Sequence, residues 1–388
     1  MKNKKFISII GILFMTLFIS TIIGSTSSDQ KSLADIYRTG KIRLIPELII
    51  DDKSLPEDVF FEGPADICLD NKNDIYICDY KANNIKVLDS SGKFTKTIGR
   101  QGQGPGEFQW PFNIAIYKDR LVVWELTNRR ISVLNPGGEF LKSIQIPRFE
   151  GRPRKIRALP NGDFVIEKIK TYYGDNKKPQ ECIIEIYSQE LERKKTLYTQ
   201  EVWEDKYIIT PESTNVPQPF AALVYWDVSP DGKIIVGFSE SYTIEIYDSE
   251  KGKLSSFNHP YEPVKITEQD KKTWFAGLTS AGPNGVTQGA PDYIVKNTKF
   301  PKYKPPYQQI MVDSEGNILV FPYEEDNFKE FRNFDAFDYR GKFISNVQIE
   351  GELTFPYLAR AIAKGNYFWF IDQNEEGLFR IVKSRISD

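Results

Sequence analysis

Apolar residues alternate with polar ones in short runs along most of this chain, and the runs are paired around tight polar turns. The first pair is Asp66-Ile67-Cys68-Leu69, the turn Asn71-Lys72-Asn73, and Ile75-Tyr76-Ile77-Cys78. The turn returns as Tyr117-Lys118-Asp119-Arg120, Pro160-Asn161-Gly162-Asp163, Pro230-Asp231-Gly232-Lys233, Ser314-Glu315-Gly316-Asn317 and Ala363-Lys364-Gly365-Asn366. Period-two alternation bounded by such turns predicts β-hairpins. In the first two copies two further strands follow each hairpin, and four-stranded repeats of roughly 40 to 50 residues are the signature of propeller blades.

The pattern therefore predicts an all-β, six-bladed β-propeller with blades at about 64-99, 111-146, 153-199, 222-258, 307-350 and 357-384. Spacing within the blades supports a true repeat: Asp79 precedes Ile85 by six positions, as Glu125 does Ile131, Phe238 does Ile244 and Asp372 does Leu378. The last copy supplies only three evident strands. An orphan extended run at 41-50, containing Pro46, is expected to join it as the outer strand and close the ring, because a sheet edge left bare invites mispairing. Residues 259-306 interrupt the repeat. Thr267 with Asp270 three positions on reads as a helix start, and the segment is an inter-blade insert and possible cap.

Composition changes this picture little. The 388 residues include 51 Lys and Arg against 53 Asp and Glu, a net charge of −2, which gives no electrostatic footprint for nucleic acid. The basic cluster Arg148, Arg152, Arg154, Lys155 and Arg157 reads as a solvated loop leading into a strand, with a phosphate or polyanion site as the alternative. Residues 1-28 read as a signal peptide or membrane anchor: Lys2, Lys4 and Lys5 precede an uncharged stretch at 6-23 that is long for a signal core and long enough to tether the chain to a membrane. Export to the periplasm, cell envelope or exterior follows. Cys68 and Cys78 flank the first hairpin turn, so either a disulfide or two buried thiols is open, and Cys182 has no evident mate.

The segment Gly99-Arg100-Gln101-Gly102-Gln103-Gly104-Pro105-Gly106-Glu107-Phe108, followed by Pro111 and Ile114-Ala115-Ile116, resembles the inter-blade signature of NHL-repeat propellers. Asn128-Arg129-Arg130-Ile131 resembles the turn that follows it, and Tyr303-Lys304-Pro305-Pro306-Tyr307 before Val312-Asp313 is similar to secreted bacterial six-bladed propellers of that broad group. The resemblance implies fold and export. It does not imply an activity, since the architecture hosts many.

Candidate chemistry is sparse. The glycine-rich segment lacks the Lys and Ser or Thr of a phosphate loop and reads as an inter-blade connection. His259 is the single histidine, which excludes a multi-histidine zinc site. Propeller hydrolases similar to lactonases hold a divalent ion with carboxylates and amides at the channel mouth. Asp79, Asn83, Asn84, Glu125, Asn128 and Asp372 occupy repeat-equivalent turns and are the candidates here for an ion such as calcium, or else for bonding to turn amides. The insert and its neighbouring loop supply the candidate ligand contacts Arg154, Trp274, Tyr293, Tyr303 and Tyr307. The reading is an exported, monomeric binding module for a protein, peptide or glycan, with no cofactor. The alternatives are a metal-dependent hydrolase or lactonase with its site at the channel mouth, and a structural envelope component.

Overall fold

The computed structural model describes residues 31–172, 179–202, 218–282, 285–288, 290, 292–323, 330–351, 355–356, 361–374 and 376–388. The expected leading segment 1-28 and the start of the sixth blade at 357–360 lie outside the described residues.

Six four-stranded blades account for most of the described chain. Blade 1 runs Pro64–Leu69, Ile75–Asp79, Asn84–Leu88, Phe94–Ile98; blade 2 runs Pro111–Tyr117, Arg120–Glu125, Arg130–Leu134, Phe140–Gln145. Blade 3 comprises Arg152–Ala158, Phe164–Lys170, Gln180–Tyr187 and Arg193–Val202, and blade 4 Val224–Val228, Lys233–Phe238, Thr243–Asp248 and Gly252–Asn258. Blade 5 comprises Tyr307–Val312, Ile318–Pro322, Asn333–Phe337 and Phe343–Glu350. Blade 6 has Ala361–Lys364, Tyr367–Gln373 and Phe379–Ser387, with Lys41–Ile50 as its outer strand.

The second strand of each blade explains why the sequence reads as apolar on both faces. In Ile75–Asp79, Ile75 and Ile77 pack toward blade 6 while Tyr76 and Cys78 pack toward blade 2. Val122 and Trp124 face blade 3, and Leu121 and Val123 face blade 1. Period-two geometry sends successive side chains to opposite faces, and each face is covered by a neighbouring blade. The core is thus six apolar layers, one between each pair of adjacent blades.

Closure uses the orphan strand, and more firmly than expected. Lys41–Ile50 pairs antiparallel with Phe379–Ser387 along Arg43 to Ile50 and also parallel with the outer strand of blade 5, Lys41 to Arg43 opposite Gln348 to Glu350. A short helix ahead of it, Leu33–Tyr37, capped by Ser32, buries Leu33, Ile36 and Tyr37 in the layer between blades 5 and 6. The six-position spacing fails in blade 6. Asp372 pairs with Arg380, so the intervening turn is longer than in blade 1, where Asp79 pairs with Asn84, and Leu378 is exposed in that turn.

No disulfide forms between Cys68 and Cys78. Cys68 sits opposite Tyr76 and Cys78 opposite Asp66, a diagonal rather than a facing pair, and all three cysteines are free. The insert carries a helix, Glu268–Gly277, with a reciprocal capping box: the Asp270 amide donates to Thr267 Oγ1 at 3.1 Å and the Thr267 amide to Asp270 Oδ2 at 2.8 Å.

Candidate functional site: the central channel

The first strand of every blade lines the axis, and a local irregularity shapes what it presents. One residue into that strand the register shifts: between Pro64 and Asp66, Pro111 and Asn113, Pro153 and Lys155, and Tyr307 and Gln309. Such a bulge bends the strand and re-aims the side chains beside it. The bulged residues Ala65, Phe112, Arg154 and Gln308, and those after them, Asp66, Asn113, Lys155 and Gln309, all line one cavity of about 530 Å3. Blade 4 adds Tyr225, Trp226 and Asp227, blade 6 adds Ala361, and the insert helix adds Trp274.

Cations and carboxylates interleave on this wall. Arg154 Nε meets Glu167 Oε1 at 3.0 Å, and Glu167 Oε2 accepts from Trp226 Nε1 at 2.8 Å. Lys155 Nζ donates to the Trp226 carbonyl, lies 4.7 Å over the Trp226 ring and is 3.8 Å from Asp227 Oδ1. Burial pushes the Lys155 ammonium down to about 8, with Asp227 opposing the shift. Asp66 accepts from the Ile67 amide at 3.0 Å and the Ile114 amide at 3.2 Å; burial raises its carboxyl, opposed by Arg157. Asp227 Oδ2 accepts from the Val312 amide at 3.0 Å. The bonds to Ile114 and Val312 join first strands of neighbouring blades, so these two carboxylates also tie the ring. Arg154, Lys155 and Arg157 are therefore channel-wall residues, not the solvated cluster their sequence suggests.

The five candidate contacts separate. Arg154 and Trp274 line the cavity, and the Trp274 ring packs edge-on against Phe275 at 5.2 Å and Phe300 at 5.5 Å. Tyr303 is exposed beneath the Lys302 ammonium, 4.9 Å from its ring centroid, away from the cavity lining. Tyr293 lies in the helix Asp292–Asn297, and its side chain is outside the described residues. Tyr307 is a core residue at 0% exposure, packed on Tyr242 at 5.3 Å and Tyr225 at 6.0 Å, which removes it from a binding surface. It takes the pre-bulge position that Pro64, Pro111 and Pro153 take elsewhere.

Asp66, Asn113, Lys155, Arg157 and Asp227 were not singled out as channel contacts by sequence reasoning. A signal for some of them exists: Pro64-Ala65-Asp66-Ile67, Pro111-Phe112-Asn113-Ile114 and Pro153-Arg154-Lys155-Ile156 share a proline, a variable residue, a polar residue and isoleucine. A polar position recurring in an otherwise apolar inner strand marks the axis.

The turn carboxylates considered for a metal are engaged elsewhere. Asp79 pairs with Lys86 at 2.9 Å and accepts from the Glu62 and Gly63 amides, both at 2.9 Å. Glu125 accepts from Arg130 Nε at 2.7 Å and Asn128 Nδ2 at 2.6 Å, and Asp372 from Arg380 Nε at 2.9 Å. Asn83 Oδ1 accepts from the Trp110 amide at 2.9 Å, and Asn84 Oδ1 from Lys86 Nζ at 3.2 Å. Among the described residues no group of three or more His, Cys, Asp or Glu is arranged to hold a metal ion. The glycine-rich segment is clamped by Arg130, which donates to the Gln103 and Glu107 carbonyls at 2.7 Å, and Gly99 leaves no room for a Cβ, which would meet the Phe108 ring at 2.3 Å. His259 stacks on Phe343 at 4.6 Å.

Comparison with known proteins agrees with this architecture. A family described as a 6-bladed beta-propeller, DUF5128, matches residues 56–215. No curated protein sequence matches. Among solved structures, a member of the DUF4221 family from Bacteroides vulgatus ATCC 8482 aligns at 12% identity and a TM-score of 0.55, covering 90% of this chain and 99% of that one. A Bacteroides fragilis NCTC 9343 protein inferred to be exported aligns at 14% identity and 0.51, covering 90% and 95%. A gluconolactonase from Xanthomonas campestris aligns at 10% identity and 0.44, covering 91% and 93%, a likeness too slight to carry an argument about chemistry. Among the described residues no helix is long and apolar enough to cross a membrane. The fold is a six-bladed β-propeller.

Proposed function

We propose that this is an exported binding propeller that takes a peptide, protein segment or glycan at the mouth of its central channel, with residues 259-306 as a cap. The observation that carries the reading is the cavity of about 530 Å3, to which the inner strands of all six blades and Trp274 of the insert contribute. Concave sites lined by aromatic walls and a few convergent polar groups are where ligands bind. Export rests on the basic and apolar pattern of residues 1-28.

The test is differential scanning fluorimetry of the purified protein against pools of short peptides and of oligosaccharides. The expected result is a stabilising pool whose effect is lost in Arg154→Ala and Trp274→Ala but kept in Phe149→Ala, whose ring is 74% exposed and is not part of the cavity lining. Stabilisation that survives both channel substitutions moves the site elsewhere and overturns the reading.

A further inference from the structure

We infer that the ligand of this channel is a neutral carbohydrate chain, and that its outer residues rest on an aromatic platform of Trp110 and Tyr80; the inference depends on the channel-binding reading above. Asn113 is only 8% exposed and lines the cavity, yet its Oδ1 has no hydrogen-bond partner. Asn113 lies beside Asp66 and helps favour its charged form, the part of a donor, which turns the Asn113 amide nitrogen toward Asp66. The oxygen is thus left asking for a donor, and a buried acceptor without one is costly.

Arg157 makes the complementary demand. It donates to the Ile156 carbonyl at 2.9 Å but stands 3.7 Å from Asp66 Oδ2 and 3.8 Å from Asp227 Oδ1, beyond hydrogen-bond length. A group that both donates and accepts satisfies the guanidinium, the two carboxylates and Asn113 together; a hydroxyl does so from a single atom, where a peptide amide needs two. A carboxylate or phosphate has nothing to donate to Asn113 and is repelled by Asp66 and Asp227. An ammonium is repelled by Lys155 and Arg157. The wall balances its charges, which favours a neutral polyol, and the partly exposed ring of Phe112 suits the C–H face of a sugar ring.

A line of rings leads out of the channel. Phe112 lies 5.9 Å from Tyr80, and Tyr80 lies 5.6 Å from Trp110, which is 49% exposed. Trp110 holds φ +54°, a left-handed conformation that bulky residues seldom adopt. Two bonds keep it there: its amide donates to Asn83 Oδ1 and its carbonyl accepts from the Leu126 amide, both at 2.9 Å. Held in this way, half exposed at the outer end of the line of rings, Trp110 offers a flat apolar face beside the channel mouth.

The test is an array of immobilised cellohexaose, xylohexaose, mannohexaose and maltohexaose beside hexagalacturonate and a peptide library, followed by calorimetric titration of the best binder. A neutral hexasaccharide is expected to bind, Asn113→Ala to weaken it about tenfold, and Trp110→Gly to weaken it about tenfold while Tm holds or rises, since glycine accepts the positive φ. Binding of hexagalacturonate or peptides alone, lost in Arg154→Ala, overturns the carbohydrate assignment and leaves the channel reading standing. Binding of nothing on the array overturns the carbohydrate assignment. Trp110→Gly with a lowered Tm and unchanged affinity overturns the platform.

Discussion

Asp270 and Lys304 form an ion pair at 2.9 Å with side chains 1% and 0% exposed, and this pair joins the helix that carries Trp274 to the end of the insert just before blade 5. Removing one member of a buried pair leaves the other charged in a low-dielectric setting, a loss of about 3 to 5 kcal/mol. Asp270→Ala also removes the acceptor of the Thr267 amide, half of the capping box. At about 2.1 cal/mol/K per residue over roughly 350 residues, each kcal/mol moves the midpoint by about 1.4 °C, so Tm should fall by about 4 to 7 °C if the insert melts with the ring. If the insert opens by itself, the fall is smaller and the loss surfaces as faster amide exchange in peptides spanning 260-306. Thermal unfolding with hydrogen exchange separates the two cases. The pair Asp270→Leu with Lys304→Met should restore much of the protection, because no lone charge remains. Wild-type Tm together with wild-type exchange in Asp270→Ala refutes the reasoning.

Deleting residues 41-50 removes the outer strand of blade 6 with the buried side chains Ile42, Leu44 and Ile50, each worth about 2 to 5 kcal/mol on truncation, and should abolish cooperative melting; an unchanged curve argues against this closure. Lys155 is held near 8 against an ordinary 10.5, so the folded state binds fewer protons than the unfolded between those values. The penalty is therefore fully present below about pH 8, and the stability of the wild type relative to Lys155→Met should rise from pH 8 toward 10.5; a flat difference contradicts the burial. Burial also pushes the Cys68 and Cys78 thiols up, so alkylation of the native protein should be slow, whereas unfolding without reductant should give three adducts by mass spectrometry. A single adduct after that unfolding would establish the disulfide.

The ring was legible because hairpin turns and two-sided apolar strands recur, and each copy constrains the others. Even the closing strand at 41-50 could be placed, from a blade one strand short. Register was harder to read. Leu378 looked equivalent to Ile85 by spacing, but the longer turn after Asp372 makes Ile381 the equivalent, opposite Ile371 as Ile85 is opposite Cys78. The same difficulty hid the site. Whether a residue at the start of an inner strand lines the channel or sinks into the core depends on a bulge, a property of two paired strands and not of one segment. Arg154 falls on the bulge and reaches the channel; Tyr307 falls one position before it and is buried. Trp274 was legible through the helix cap at Thr267, whereas the Trp110 platform depends on a positive φ that the glycine-rich surroundings did not announce.

The outer strand of blade 6 has a consequence for how the chain acquires its shape during synthesis. Glu47 and Arg385, which meet at 2.7 Å, are separated by 338 positions, so the closing contacts wait until blade 6 has emerged. Blades 1 to 4 can each dock on the one before as they appear, but the face of blade 1 that carries Ile67, Ile75 and Ile77, which Leu55 and Phe61 cover in part, is completed only when Trp369, Ile371 and Ile381 arrive. Contacts this remote make closure slow, and an open arc with an apolar end is prone to association. The nascent chain therefore needs shielding at one particular face until blade 6 is complete, and the seam beside blade 6 is where proteases should first gain access to the finished ring.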